Sequence, residues 1–353
     1  MLPTVRVVLA QVAPVFLDLE RTIDKACQII EEAAGLGADL IVFPETYLPA
    51  FPLWSAIHAP IDNHVFFTRL VNNSLTIDSQ SMRKIASAAE RHGIFVSIGF
   101  NESTPASIGC LWNSNAIFDD AGRLINHRRK LVPTFYEKLV WAPGDAEGLD
   151  VTETRLGKIG ALICGENTNP LARYSLIAEG EQLHISTYPP IWPTHRPDED
   201  RNYDLKAAIH IRAAAHAFEG KVFNLVVAGV LDQHTIDEVS RGNDDMRQQL
   251  ERYPSGVSMV LDPSGQPVAM SEGEGEQLVQ ATIDLNLCIE PKQFHDVAGS
   301  YNRFDLFRLQ LDKRPQRPLE TLLTEPEHAN VAPTEPLLSR HISTSDNKNP
   351  GAS

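Results

Sequence analysis

Three side chains of complementary chemistry stand at the ends of three separate segments: Glu45 after Val42-Phe43-Pro44, Lys130 after Arg128-Arg129, and Cys164 after Gly160-Ala161-Leu162-Ile163. A carboxylate, an ammonium and a thiol together suffice for covalent hydrolysis. The thiolate is the nucleophile, yet a free cysteine has a pKa of about 8.5, so at neutral pH it needs a base. Glu45 could take that proton if burial keeps its carboxylate basic. Lys130 could then hold the negative charge that develops on the atom multiply bonded to the attacked carbon, with the Gly165 N–H as a second donor. The twelve histidines offer other bases, but none lies in a recognisable motif. A lone cysteine after an apolar run is ordinarily a small buried hydrophobe. The assignment therefore depends on elements that bring the three groups together.

Those elements alternate in type, as expected when helices cover a buried sheet. A strand at Val5–Ala10 precedes a helix whose apolar positions are Ile23, Ala26, Cys27, Ile30 and Ala34, with Gly35 and Gly37 as stop signals. Asp39–Phe43 is a short buried-strand run ended by Pro44, so Glu45 emerges at the edge of the core. A helix from about Asp78 to Arg91 and a strand at Ile94–Gly99 follow. Asn115–Phe118 and Leu124–His127 flank Asp119-Asp120-Ala121-Gly122, a turn signal for a hairpin that runs into Lys130. Leu156–Cys164 reads as a strand with a glycine break. Asn169 and Pro170 suit the N-cap and first position of a helix at Leu171–Glu179. Cys164 thus falls in a strand-to-helix elbow, where free N–H groups and a positive dipole should favour the thiolate. Further along, strands are expected at Leu183–Ser186, Phe223–Ala228, Ser258–Leu261 and Leu278–Ile283, with a helix at about Asp204–Phe218. Asp262-Pro263-Ser264-Gly265 is a turn. The polar stretch Asp232–Arg252 reads as a surface insertion.

Composition excludes several classes of function. With 353 residues, 42% of them hydrophobic, the chain can bury a large core. A formal net charge of −15 and a pI near 5.2 argue against nucleic-acid and anionic-membrane partners, because the field repels phosphates. No apolar run approaches the roughly 20 residues needed to span a bilayer, and the start lacks secretory features. A reducing cytoplasm is the expected location. Cys27, Cys110, Cys164 and Cys288 are scattered without CxxC spacing, so neither a zinc site nor a disulfide framework is expected. Residues 1–312 read as one catalytic domain. Residues 313–353, poor in apolar residues and rich in Pro, Ser, Thr and Asn, read as a disordered tail.

The three segments, taken in order, resemble the motifs of the nitrilase superfamily, and most closely its nitrilase branch. Phe43-Pro44-Glu45-Thr46-Tyr47-Leu48-Pro49, with Phe51-Pro52-Leu53-Trp54, is similar to the first motif. His127–Thr134, with Glu137 and Val140-Trp141, resembles the second. Cys164-Gly165-Glu166-Asn167 through Asn169–Tyr174, followed by His184-Ile185-Ser186, resembles the third. There are two departures. Gly165 stands where many members carry Trp after the nucleophile, and Gly299-Ser300-Tyr301 stands for a Gly-His-Tyr.

The resemblance implies a four-layer α-β-β-α sandwich in the α/β class, extending to about residue 310, and a Glu45, Lys130, Cys164 triad that needs no cofactor or metal. It implies that Glu137 helps to position Lys130 or water; taken alone, Glu137 could equally be a surface carboxylate paired with Lys138 or Arg129. The implied reaction is hydrolysis of an organic nitrile by water through a thioimidate and a thioester on Cys164. Alternatives are an amidase or carbamoylase of the same superfamily, an amide-forming or cyanide-hydrolysing relative, and a non-enzymatic scaffold. Tyr47, Trp54, Phe135, Tyr188 and Trp192, with Gly165, are the candidate pocket residues. A homo-oligomer is implied, a dimer that builds larger or spiral assemblies. His58–Asn73 and Asp232–Arg252 are candidate contact insertions that could equally be solvated loops.

Overall fold

Strand alternation decides how the layers form. In β1 (Thr4–Gln11) Val5, Val7 and Leu9 face one way while Val8 and Ala10 face the other, each set joining a different apolar cluster. The computed structural model describes residues 1–199, 203–316 and 319. The strands that follow are β2 (Leu40–Val42), β3 (Phe95–Thr104), β4 (Ser107–Phe118), β5 (Leu124–Arg129), β6 (Thr152–Thr154), β7 (Gly157–Ile163), β8 (Leu183–Tyr188), β9 (Phe223–Ala228), β10 (Met259–Leu261), β11 (Pro267–Met270) and β12 (Gln277–Asp284). Among the described residues they form two six-stranded mixed sheets, in the orders β12-β1-β2-β3-β4-β5 and β11-β10-β9-β8-β7-β6. Parallel pairs occupy the centre of each sheet, β1/β2/β3 in one and β7/β8/β9 in the other, with antiparallel strands at the flanks.

The two sheets pack face to face through Val5, Val7, Leu9 and Val42 on one side and Ile159, Ile185, Leu225 and Val227 on the other. Helices cover the outer faces. They are α1 (Leu19–Gly35), α2 (Trp54–Ile57), α3 (His64–Asn73), α4 (Gln80–His92), α5 (Pro170–Ala178), α6 (Leu205–Gly220), α7 (Gln233–Ser240), α8 (Asp244–Leu250) and α9 (Ile289–Phe294). Ile23, Ala26 and Ile30 of α1 and Met82, Ile85 and Ala89 of α4 lie on Val8, Ile41, Val96 and Ile98. Ile209, Ala213 and Ala217 of α6 pack in the cluster that holds Val226, Met259 and Cys164. Each fully buried large aliphatic side chain contributes roughly 1.5–3 kcal/mol relative to exposure. Caps set the helix starts: Asp18, Ser79, Asn169 and Asp204 accept from Arg21, Met82, Leu171 and Ala207 N–H groups. The layering is the expected α-β-β-α sandwich.

Two segments differ from expectation. β3 and β4 are longer than the periodicity suggests and form a hairpin through Pro105-Ala106, because Asn101, Asn113, Ser114 and Asn115 are polar yet buried. Asp232–Arg252 is no solvated loop: it carries α7 and α8, with Ile236, Val239 and Leu250 buried. It packs within the same chain on the other expected insertion, through Arg69 Nη1 to Glu238 (2.7 Å) and the His58 ring to the Val239 carbonyl (2.8 Å). One compact unit spans Met1–Gln316. Lys313 pairs with Asp150 and Glu179, and Gln316 N–H donates to Asp145. Of the expected tail, residues 317, 318 and 320–353 lie outside the described residues.

Candidate active site

Glu45 lies in the loop that leaves β2, between sheet and helix layers. The loop is tied to β3 by hydrogen bonds from Phe43 N to the Ser97 carbonyl (2.8 Å) and from Leu48 N to the Gly99 carbonyl (3.1 Å). Asn101 Nδ2 holds the Ala50 carbonyl at 2.9 Å, while its Oδ1 accepts from the Trp141 indole at 2.9 Å. Lys130 leaves β5 and is anchored by its N–H on the Asn113 carbonyl at 2.7 Å. Glu137 is the third residue of the short turn Phe135–Leu139. Its Oε2 accepts from Thr134 N at 2.6 Å, so one carboxylate both caps the turn and faces Lys130. Cys164 opens the turn Cys164–Thr168 directly after β7, with a left-handed φ of 51°.

These elements bring four groups into one sealed cluster. Lys130 Nζ donates to Glu45 Oε1 at 2.8 Å and to Glu137 Oε1 and Oε2 at 2.9 and 2.7 Å. The ion-paired side chains of Lys130, Glu45 and Glu137 have no exposed surface. The Cys164 Sγ and one oxygen from each carboxylate lie within 4.8 Å of one another. Asn113 Nδ2 adds a 2.7 Å bond to Glu45 Oε1, and the buried Glu45 Oε2 has no hydrogen-bond partner. The Lys130 ammonium stands between the two carboxylates, where a bound cation would have to sit.

Electrostatics follow from burial and from charge balance. Burial opposes the Lys130 ammonium, but Glu137 and then Glu45 outweigh it, and its pKa is raised. Burial pushes Glu137 up, Lys130 pulls it back and Glu45 adds to the rise, leaving it at about 7. Burial, and then the Glu45 charge, push the Cys164 thiol up. This corrects the expected thiolate-favouring elbow. The helix α5 starts only at Pro170, and a five-residue turn stands between its positive end and the sulfur. Burial thus favours the thiol form of Cys164.

The expected pocket residues divide by position. Tyr47, buried, lines a narrow cleft of about 20 Å3 with Glu45 and Phe51. Trp54 stacks on Phe66 at 5.8 Å, and Tyr188 ends β8 in the apolar cluster that includes Cys164. Trp192 stacks on Tyr136 at 4.5 Å and meets Phe51 edge-on at 6.2 Å. Phe135 turns outward, 65% exposed, because its left-handed φ of 51° starts the turn that aims Glu137 inward. Tyr136 takes the inner position. Phe135 instead lines an outer groove of about 260 Å3 with Leu131, Thr134 and Gly165. A Cβ at Gly165 would come within 2.6 Å of Thr134 Oγ1, so glycine permits this close approach.

Sequence reasoning passed over Asn113, Tyr136 and a second buried pair. Glu166 Oε1 accepts from Arg128 Nη2 (2.8 Å) and from Leu131 N (2.5 Å), and its Oε2 accepts from Ile163 N (2.7 Å). One carboxylate thus ties the Lys130 segment to the Cys164 turn. Arg129, a nominal partner for Glu137, holds Glu102 instead. The pairing of Glu166 with Arg128 had no local signal, since 38 positions separate them.

A two-sheet α/β sandwich with a buried cysteine, lysine and paired glutamates between its layers defines a carbon–nitrogen hydrolase. Residues 6–293 match the carbon-nitrogen hydrolase family model, and the chain belongs to the nitrilase superfamily, in its nitrilase branch. It is 32% identical to a nitrilase of Paraburkholderia phymatum over 93% of each chain. It is 35% identical to an arylacetonitrilase of Aspergillus niger, covering 88% of this chain and 89% of that one. The fold is shared with a carbon-nitrogen hydrolase of Helicobacter pylori, with a TM-score of 0.67 and 19% identity over 83% of this chain and 93% of the other. Among the described residues no helix is long and apolar enough to cross a membrane.

Proposed function

We propose that this chain hydrolyses an organic nitrile to the carboxylic acid and ammonia, with Cys164 as nucleophile, Glu45 as general base, Lys130 as charge stabiliser and Glu137 as the group that holds Lys130. The observation that carries this reading is the division of labour on Glu45. Oε1 is occupied by Lys130 and Asn113 while Oε2 is unpartnered, and an oxygen of this carboxylate lies within 4.8 Å of the Cys164 sulfur.

The steps follow from that geometry. Because the resting sulfur is protonated, the S–H proton passes to Glu45 as sulfur bonds to the nitrile carbon. The proton then goes to the nitrile nitrogen, giving a thioimidate. Water adds to the carbon and yields a proton through Glu45, and the tetrahedral carbon expels nitrogen as ammonia to leave a thioester. A second water releases the acid and restores the thiol. Lys130 and the Gly165 N–H face the charge that develops at each addition.

Phe51, Tyr136, Trp141 and Trp192 give the interior an aromatic wall, with ring contacts of 4.5–6.2 Å. That lining suits a weakly hydrogen-bonding substrate, and an arylacetonitrile such as the name of the Aspergillus relative implies. Phe294, Phe304, Leu306 and Phe307, all more than half exposed near the end of the described chain, suit burial against a second copy, in keeping with a homo-oligomer. The test is initial ammonia release from phenylacetonitrile, benzonitrile, an aliphatic nitrile and the matched amides, with mass detection of acid and amide. Acid from a nitrile, faster than from its amide, is expected. Turnover of amides alone would replace this reading with an amidase.

A further inference from the structure

Behind the nucleophile lies a second buried polar cluster that the proposed steps do not use. Glu181 follows α5, His184 and Ser186 lie on β8, His216 lies on α6 and Asn167 on the turn after Cys164; each is at most 1% exposed. Glu181 Oε1 meets His184 Nδ1 at 2.7 Å, and Oε2 meets His216 Nε2 at 2.7 Å. His184 Nε2 faces Asn167 Oδ1 at 2.9 Å. Asn167 Nδ2 donates to the carbonyls of Cys164 at 3.1 Å and Leu162 at 3.3 Å. Room for the carboxylate comes from Gly160, which pairs with His184 across the strands: a Cβ there would overlap Glu181 Oε1.

Counting hydrogens fixes how His184 and Asn167 face each other. A flipped Asn167 would set its oxygen against two carbonyl oxygens, so Oδ1 must be the atom facing His184. Asn224 is fixed likewise, since its Nδ2 donates to the Ala213 carbonyl at 3.1 Å. Ser186 Oγ lies 3.0 and 2.9 Å from the two amide oxygens and has one hydrogen to give. His184 Nε2 therefore carries a hydrogen toward Asn167. Burial alone would raise Glu181, but His184 and His216 beside it hold it at about 2. Burial, and then His184, lower His216 to about 4.

We propose that the buried Glu181–His184–Asn167 chain is a positioning device for the nucleophile: Glu181 fixes the His184 ring, whose Nε2–H orients one amide so that it grips the Cys164 carbonyl and holds the left-handed backbone that aims Sγ. A single asparagine amide pins the strained residue from below, while Glu166 pins the preceding Ile163 N–H. The inference rests on Cys164 being the nucleophile of the proposed reaction.

The test uses the full chain with ¹⁵N-labelled histidine, in solution or, for large assemblies, under magic-angle spinning. At pH 7.5, a His184 Nε2 that carries a hydrogen is expected, and Glu181→Gln should change the ring-nitrogen shifts of that histidine. In folded Glu181→Gln and Asn167→Asp proteins, kcat and the rate of Cys164 alkylation by iodoacetamide should each fall tenfold or more, with KM within about twofold. A His184 Nε2 without a hydrogen in the wild type, or wild-type alkylation in both folded variants, would overturn the proposal. So would a stoichiometric metal ion found by elemental analysis on the Glu181, His184 and His216 donors. If a variant does not fold, the wild-type spectrum alone decides. Slowed alkylation in both folded variants of a protein inert to nitriles would retire the nitrile reading and leave this one standing.

Discussion

Asn113 Nδ2 and Lys130 Nζ converge on the same oxygen of Glu45, and the Asn113 bond, at 2.7 Å, is as short as the ion pair beside it. The amide is thus the neutral half of the clamp that leaves Oε2 free. Asn113 also anchors Lys130 through its own carbonyl, so one strand residue positions both Glu45 and Lys130.

Asn113→Leu should leave Lys130 attached through the backbone but release Glu45 to rotate. A hydrogen bond to a charged group contributes roughly 1.5–3 kcal/mol, which corresponds to a kcat about ten- to a hundredfold lower. Steady-state kinetics on the preferred nitrile check this. Unchanged kcat would show that Lys130 alone fixes Glu45.

Cys164→Ala should keep the fold, since the change removes one buried atom, and should abolish turnover. Intact-mass measurement of the wild type, quenched early with substrate, should show the acyl adduct that the variant lacks. Full activity in the variant would remove Cys164 from the chemistry.

Gly165→Ala should lower activity through Thr134 rather than through lost flexibility, because the new Cβ would press on Oγ1 of the residue whose N–H holds the Glu137 carboxylate. Combined with Thr134→Ala, the two effects should be markedly less than additive. Strict additivity in kcat/KM would show that the two positions act independently.

Stability should depend on pH in two regimes. His216, depressed from 6.5 to about 4, withdraws stability as pH falls through that window, whereas Glu137, raised from 4.5 to about 7, withdraws it as pH rises. The two slopes oppose, so the melting temperature should be nearly flat between about pH 7 and 4.5. Below that, Glu181 and Glu102, both held at about 2 in the fold, bind protons more readily when unfolded, and stability should fall steeply toward pH 2. A melting temperature that rises below pH 4.5 would contradict this.

The layered fold was legible because period-two runs such as Val5–Ala10 and capped helices such as α5 follow local rules that tertiary packing here obeys. Glu45, Lys130 and Cys164 were legible from residue type and position, whereas Glu137 followed only from the family resemblance. What escaped was polar burial. Asn113 lies in a stretch of β4 whose alternating apolar signal is broken by asparagines and serines, each needed for a bond that only the fold supplies. Phe135 was chosen over Tyr136 because a single left-handed residue, with no glycine to announce it, shifts which ring faces inward. Ile236, Val239 and Leu250 were hidden among charges that face solvent from the same two helices.

The buried cluster holds two carboxylates against one ammonium, inside a protein of net charge −15. A nitrile is neutral and reaches such a place without electrostatic hindrance, whereas the acid formed from it is an anion at neutral pH. On the proposed reaction, substrate entry should be indifferent to ionic strength, while the site itself expels the product. The excess charge would then give turnover a direction, with little inhibition by accumulated carboxylate even late in a reaction.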